Sequence, residues 1–399
     1  MKQRAIRFFL FIAAAAAVVC LCAVPAAGLE AADGLVGTAG NAGTPTGENG
    51  SASFEAQLEA SGAAGLAEAL PQETQDLLAQ IGVADIDLYS ILNADARDML
   101  NLFFGILKGN MGTVAKAGIA ACGLLMLLAI GESLLPDDEK TRHALQMAGS
   151  ILSLMVLLPG LTQLLRGAVS VVDVGSKFTL LLIPILAGII TAAGNPLMAV
   201  SYHSFTFLAA QGLSQLADNV IVPTTGVVLG LSFVDAATKD ARLSAVSELI
   251  KKTVIGTFSI LAGLFTALLS IKSLIANTAD ALAVRGVKVF AGSVPLVGGA
   301  LNEAMGAILS SISLVKGAVG GFALLAALLL YAPILVQLFL WSLLLKLLCS
   351  AGAMFRQDNT ATVFKSAGFA VSILSACVIF NAALLLISTG LVLTMKAGA

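Results

Sequence analysis

The chain has 399 residues, of which 58% are apolar and only 12% are charged, and its formal net charge is −2. Soluble domains carry about 25% charged and about 45–50% apolar residues, so this composition excludes an ordinary soluble enzyme and a disordered scaffold. The 22 lysine and arginine residues are scattered between apolar runs and form no basic face of the kind that binds nucleic acid. The composition therefore predicts an integral membrane protein.

The N-terminus has the pattern of a secretory signal peptide. Lys2, Arg4 and Arg7 precede an apolar run, 8–24, that ends in small residues near Ala26, as a signal-peptidase site requires. We expect a signal peptide over 1–26; an uncleaved signal anchor is the alternative. The Gly-, Ala- and Thr-rich residues 27–53 are typical of a flexible linker.

Residues 54–112 have a helical and acidic pattern. Apolar residues recur at spacings of three and four, and residues 27–112 hold 12 acidic residues against only Arg97 and Lys108. Such a segment is translocated easily, because no positive charge retains it in the cytoplasm. It is predicted to be a set of amphipathic helices outside the bilayer.

The rest of the chain, 113–399, is predicted to be a multi-span membrane domain. A span requires about 20 apolar residues, and the runs of that character lie at 113–135, 144–165, 178–193, 197–216, 219–234, 254–271, 317–345 and 366–395. Asn195-Pro196 separates the third run from the fourth. The fold class is therefore all-α, a polytopic membrane protein with about eight transmembrane helices (range six to eight). With the N-terminus outside, the basic loop 235–253 lies in the cytoplasm.

One segment, 272–316, is too charged to span the bilayer and too apolar to be a loop. Its middle holds Pro295, Gly298 and Gly299, which predict a break between two amphipathic or re-entrant helices. Irregular backbone at membrane depth requires cover by protein or by a water-filled cavity. The segment is thus a candidate pore-lining or partner-binding element, and an ordinary interfacial hairpin is the alternative.

Few chemical groups remain as candidate sites. The five cysteines are single or lie in the N-terminal apolar run, and His143 and His203 have no histidine at i+3 or i+4, so we expect no metal, no cofactor, no catalytic residue and no enzyme activity. His203 and Asp218 are candidates for an intramembrane polar site, with a structural histidine as the alternative. Glycine pairs with the spacing of close helix packing occur at Gly226/Gly230 and Gly317/Gly321.

The apolar, glycine-rich blocks 278–288, 294–304 and 314–320 resemble the stage III sporulation protein AE family. The order of elements is also similar: a signal peptide, a variable N-terminal region, an amphipathic helix before the first span, a Pro-Gly break and long C-terminal spans. The likeness extends over about 85–399. It implies a structural or assembly role for the Pro295, Gly298 and Gly299 break and for Lys316 and Gly317.

The resemblance also implies a function and partners. Members of this family act with the other membrane proteins of the stage III A operon and, through them, with stage II protein Q of the forespore. Together they form a channel, or feeding apparatus, between mother cell and forespore that late forespore gene expression requires. The expected location is the mother-cell membrane around the forespore, in a hetero-oligomeric complex. A stand-alone permease that uses His203 and Asp218 is the alternative.

Overall fold

The computed structural model describes residues 56–83, 85–87, 90–91, 96–134, 139–237, 242–292 and 298–394. Every regular element among them is helical, as the composition predicts. The expected signal peptide (1–26), the linker (27–53) and Pro295 lie outside the described residues.

The first described residues, 56–83, 85–87 and 90–91, form a small helical cap on the bundle. Its regular elements include the helical residues 56–60, a 3₁₀ turn, Ala63–Leu66, and helix α1, Gln72–Gln80. Its apolar side chains, among them Leu66, Leu78 and Val83, are buried in the main hydrophobic core. All six of its acidic side chains are exposed, and residues 56–91 contain no lysine or arginine. These described residues are therefore largely helical and are packed against the rest of the chain, whereas residues 96–112 of the predicted acidic region belong to α2.

Seven long helices follow the cap. They are α2 (Ala96–Leu134), α3 (Glu139–Ala192), α4 (Pro196–Leu216), α5 (Val222–Ala237), α6 (Arg242–Gly292), α7 (Gly298–Met354) and α8 (Asp358–Thr394). A single π turn, Ala217–Ile221, joins α4 to α5. By length and composition, α2, α3, α6, α7 and α8 could each cross a membrane.

Several of these helices are far longer than a bilayer is thick. The 57 residues of α7 extend over about 85 Å at about 1.5 Å per residue, whereas the hydrocarbon core measures about 30 Å. α7 is therefore much longer than one straight crossing of the hydrocarbon core requires.

Apart from α4 and α5, which the π turn joins into one continuous path, successive helices run antiparallel, as short connections require. A methyl group at Gly149 of α3 would lie 2.5 Å from Leu128 of α2, which places the start of α3 beside the end of α2. The nearest neighbour of Gly320, near the start of α7, is Leu393 at the end of α8. We call the end of the bundle that holds residues 56–91 the cap end. The opposite end, where α2, α5 and α7 finish and α3, α6 and α8 begin, is the base.

The central helices are α7 and α8. In the most apolar part of each, 61% of the residues are buried inside the chain, against 28% in α2 and 11% in α6. Trp341, Tyr331 and Phe364 are fully buried, and these large side chains form the middle of the core. α2 and α6 lie at the periphery and expose apolar faces, which suits contact with lipid.

The helix boundaries match the sequence prediction at Asn195-Pro196 and differ from it elsewhere: residues 242–253 of the expected loop and 272–292 of the expected separate segment belong to α6, and 298–316 belong to α7. A break occurs at Asn195-Pro196 as predicted: Gly194 has φ 87°, and Pro196 is the first residue of α4. The runs 144–165 and 178–193, expected to be separate helices, belong to one continuous helix, α3. The prediction of two helices was wrong because the charged residues between the runs lie on an exposed helical face, where Lys177 pairs with Asp173 one turn away at 2.7 Å.

Candidate functional site

The polar centre of the bundle is a hydrogen-bonded junction of α3, α7 and α8. The Tyr331 hydroxyl of α7 donates to Asn381 Oδ1 of α8. Asn381 Nδ2 in turn donates to Ser176 Oγ of α3 at 3.1 Å and to the Val172 carbonyl at 3.3 Å. All three side chains are buried. The junction therefore joins three helices through groups that would be costly to leave unpaired in an apolar interior.

Glycines on α3 let α7 approach closely at this junction. A methyl group at Gly175 would lie 1.9 Å from the Tyr331 hydroxyl oxygen, and one at Gly160 would lie 2.4 Å from the Trp341 ring. A methyl group at Gly167 would lie 3.2 Å from Ile334 Cδ1. Bulky residues of α7 thus occupy spaces that only glycine leaves open, which is how small residues drive packing between membrane helices.

A small apolar cavity lies beside the junction, under the π turn. Its walls come from α3, α8 and the π turn: Ala168, Val169, Val172, Ala217, Ile221, Leu374, Cys377 and Val378. Isolated π turns within α-helices occur often at functional positions. Asp218 lies within this turn, but its side chain is outside the described part of the structure.

At the base, a carboxylate connects α2 to α3 and to the turn between α7 and α8. Glu132 accepts hydrogen bonds from Gln146 Nε2 at 2.5 Å and from Gln357 Nε2 at 2.7 Å. Gln357 is only 1% exposed and follows Arg356, whose φ of 59° is left-handed. Hydrogen bonds from the Gln357 and Arg356 amides to the Gly352 and Ala353 carbonyls close the end of α7.

The residues singled out from the sequence occupy separate places. His203 is exposed on α4 and stacks on Phe207, with 6.1 Å between ring centroids. Lys316 is 6% exposed in α7 and is the one charged side chain that is buried among the described residues. Gly317 follows it and is half-buried, while Gly298 and Gly299 are the first two residues of α7.

Sequence reasoning did not find the Tyr331–Asn381–Ser176 junction. Asn381 lies in the middle of the long uncharged run 366–395, and an amide side chain at that depth is a signal for a hydrogen bond between helices. The partners could not be inferred in the same way, since Ser176 is 205 residues away along the chain.

Five apolar helices of membrane-crossing length, three of which meet at the buried polar junction, indicate a helical membrane protein. A profile of the family described as stage III sporulation protein AE matches residues 89–396, and the chain belongs to that family. The curated stage III sporulation protein AE of Bacillus subtilis (strain 168) is 21% identical over 201 residues. That alignment covers 49% of this chain and 50% of the relative, about half the length of each. No solved structure matches the chain.

Proposed function

We propose that this chain is a non-enzymatic membrane subunit of the channel between mother cell and forespore, required for late forespore gene expression. The observation that carries the proposal is membership of the stage III sporulation protein AE family over residues 89–396. Its expected partners are the other membrane proteins of the stage III A operon and, through them, stage II protein Q of the forespore. Its expected location is the mother-cell membrane around the forespore.

The packing of the described bundle favours a subunit over a stand-alone permease. Large side chains of α7 fill the glycine positions of α3, and the polar junction is closed by its own hydrogen bonds. His203, the histidine on which a transport pathway would depend, is exposed beside Phe207. The chain is therefore better suited to hold a rigid frame for assembly than to conduct a solute through its own centre.

Deletion of the gene in its own host tests the function. Engulfment is scored by microscopy, and late forespore transcription is scored with a fluorescent reporter in the same cells. Normal engulfment with a silent reporter is the expected result, and the intact gene supplied elsewhere on the chromosome should restore the signal. Normal late transcription with normal spores would refute the proposal, and transport by the purified chain alone in vesicles would favour the permease.

A paired substitution tests the assembly role of Gly298 and Gly299 at the start of α7. Gly298→Val with Gly299→Val should leave membrane insertion intact and reduce spore yield, because glycine permits backbone angles and close approaches that a β-branched residue resists. Gly306→Val is a matched control farther along α7, at a position where a methyl group meets nothing within 4 Å. Wild-type spore counts in the double variant would exclude the role.

The helix pairing supports a topology of six passes. In this arrangement α4, the π turn and α5 together form one pass of 42 consecutive helical residues, 196–237, beside single passes by α2, α3, α6, α7 and α8. The cap end lies outside and the base lies in the cytoplasm, consistent with the lack of lysine and arginine in residues 56–91 and with basic residues at the base. Those residues include Lys140, Arg142, Arg242, Lys251, Lys252, Lys346, Arg356 and Lys365.

Cysteine labelling distinguishes six passes from eight. With eight spans, the turn at Asn195-Pro196 lies on the same side of the membrane as the α7–α8 turn, whereas with six it lies on the opposite side. Ala192→Cys and Arg356→Cys, both at exposed positions and each in a cysteine-free chain, would be treated in intact cells with a membrane-impermeant maleimide. Labelling of position 192 alone is expected; the same labelling behaviour at both positions would refute six passes.

A further inference from the structure

A group of lysines on three different helices converges at the base of the bundle. We call Lys251 and Lys252 of α6, Lys346 of α7 and Lys365 of α8 the lysine cluster. Each of them borders a long uncharged run: 254–271, 317–345 or 366–395. Because these runs are the parts of the helices that match the bilayer core, their common boundary marks the level at which lipid headgroups meet the protein.

An aromatic ring orients two of these lysines. Lys251 Nζ lies 4.8 Å from the centroid of the Phe369 ring, and Lys365 Nζ lies 5.8 Å from the same centroid. The ring is 7% exposed and belongs to the hydrophobic core. Two ammonium groups from α6 and α8 are thus held over one fixed surface by cation–π contacts.

The positive charge of the cluster is balanced only in part. Glu248 pairs with Lys252 at 2.8 Å and lies 4.0 Å from Lys365. Among the residues that the structure describes, neither Lys251 nor Lys346 forms an ion pair with a carboxylate. Lys251 has Glu248 near enough to attract it, and it also has Lys346, Lys252 and Lys365 near enough to repel it. Four positive charges against one carboxylate favour a bound anion at this place.

We propose that the lysine cluster binds the phosphate of an anionic phospholipid headgroup from the leaflet that faces the base. Basic pockets between membrane helices on the cytoplasmic side bind such headgroups, and lysine binds phosphate as a point charge. The acyl chains of the lipid extend along the exposed apolar face of α7, where Phe339, two turns from Lys346 on the same face, is 62% exposed. A dissolved phosphate ion carries the same charge but has no chains to place on that face.

The bound lipid also strengthens the attachment of α6. Only 11% of the most apolar part of this helix is buried inside the chain, although Phe258 packs on Phe380 of α8 with 5.4 Å between ring centroids. A phosphate between Lys251, Lys346 and Lys365 joins α6 to α7 and α8 at the base. The inference requires that the chain is embedded in a membrane but not that it is a channel subunit. The lipid-binding proposal and the channel proposal can therefore fail independently.

The test measures lipid binding to the purified full chain in detergent. Native mass spectrometry titrates phosphatidylglycerol, cardiolipin or phosphatidylcholine against the wild type and against Lys251→Gln/Lys365→Gln. Each lysine near a membrane surface contributes roughly five-fold in affinity for anionic lipid, so the double variant should bind the anionic lipids about 25-fold more weakly. The matched control, Lys108→Gln/Lys177→Gln, removes the same charge from exposed positions outside the cluster and should bind as the wild type does.

Two further variants separate binding from folding. Lys251→Arg/Lys365→Arg keeps the charge and should keep most of the affinity. Lys346→Gln alters one exposed side chain and should weaken binding about five-fold, which preserves the test if the double glutamine variant does not fold.

Three results would overturn the proposal. The first is equal affinity of the glutamine double variant and the control double variant for anionic lipid. The second is equal binding of phosphatidylcholine and phosphatidylglycerol by the wild type. The third is equal protection of the wild type against thermal unfolding by inorganic phosphate and by cardiolipin in lipid-free detergent. That result would assign the site to a free anion.

Discussion

Replacement of Gly175 by alanine should destabilise the bundle, because the added methyl group has no space at the α3–α7–α8 junction. Its carbon would lie 1.9 Å from the Tyr331 hydroxyl oxygen, 2.7 Å from Tyr331 Cζ and 3.1 Å from Asn381 Oδ1. Distances below about 3.0 Å require movement, and the phenol ring is 1% exposed with little freedom to move. Either the phenol leaves Asn381, or α3 and α7 separate locally.

Both outcomes reduce the free energy of unfolding. Loss of the Tyr331–Asn381 hydrogen bond costs about 0.5–1.5 kcal/mol, and more where a buried amide is left unpaired. Forcing a methyl group into a packed core costs about 1–3 kcal/mol. Gly175→Ala should therefore lower the free energy of unfolding by about 2–4 kcal/mol.

Gly188→Ala is the matched control on the same helix. Gly188 is exposed, and a methyl group there meets nothing within 4 Å. Alanine exceeds glycine in helix propensity by about 0.8–1.0 kcal/mol, so the control should be neutral or slightly more stable. The two substitutions make the same chemical change and differ in the space available.

Tryptophan fluorescence provides the assay. Trp341 is the single tryptophan of the chain and is fully buried between α3 and α7, so its emission reports loss of packing during an SDS titration of the purified protein. Equal stability of Gly175→Ala and Gly188→Ala would refute the reasoning. The double variant Gly175→Ala/Tyr331→Phe removes the overlap of the new methyl group with the hydroxyl oxygen but keeps its contact with Cζ. Stability should therefore recover in part, and no recovery at all would also contradict the reasoning.

Three other substitutions test the packing and the base. Gly160→Ala should lower the unfolding midpoint and shift the emission of Trp341, whose ring would lie 2.4 Å from the new methyl carbon; unchanged emission would contradict this contact. Arg356→Gly should raise the free energy of unfolding by about 0.5–1 kcal/mol, because glycine adopts a φ of 59° without strain; a lower midpoint would contradict this account of the turn. Gln357→Leu should lower the free energy of unfolding by about 1–3 kcal/mol, because Glu132 loses a donor at 2.7 Å; a stability equal to that of the wild type would show that the bond contributes nothing.

The sequence predicts the class of this fold because composition and periodicity are local properties. High apolar content and low charge require helices in a bilayer, and the described chain is helical throughout its regular elements. The break at Asn195-Pro196 was predictable for the same reason, since proline suits the first position of a helix. Of the residues at which a break was expected, Gly298 and Gly299 are the first two residues of α7, α6 ends at Gly292, and Pro295 lies outside the described residues.

The extent of the helices was less predictable, because charge can lie on one face of a helix without ending it. Asp173 and Lys177 interrupt the apolar run of α3, yet they are four residues apart and form an ion pair on its exposed side. Counting apolar residues treats such a pair as a boundary. Similarly, the π turn Ala217–Ile221 continues the helical path where two spans were expected.

The contacts between helices could not be predicted from glycine spacing alone. Gly226 and Gly230 have the spacing of a close-packing motif, yet a methyl group at either would meet nothing within 4 Å. Gly160 and Gly175 belong to no such pair, but they receive Trp341 and Tyr331 from a helix more than 150 residues later. A glycine becomes a packing site only when a bulky side chain of another helix occupies the space above it, and that side chain is selected by the tertiary arrangement. The information that locates the junction therefore lies in the pairing of α3 with α7 and α8, and no local pattern in any one of the three helices contains it.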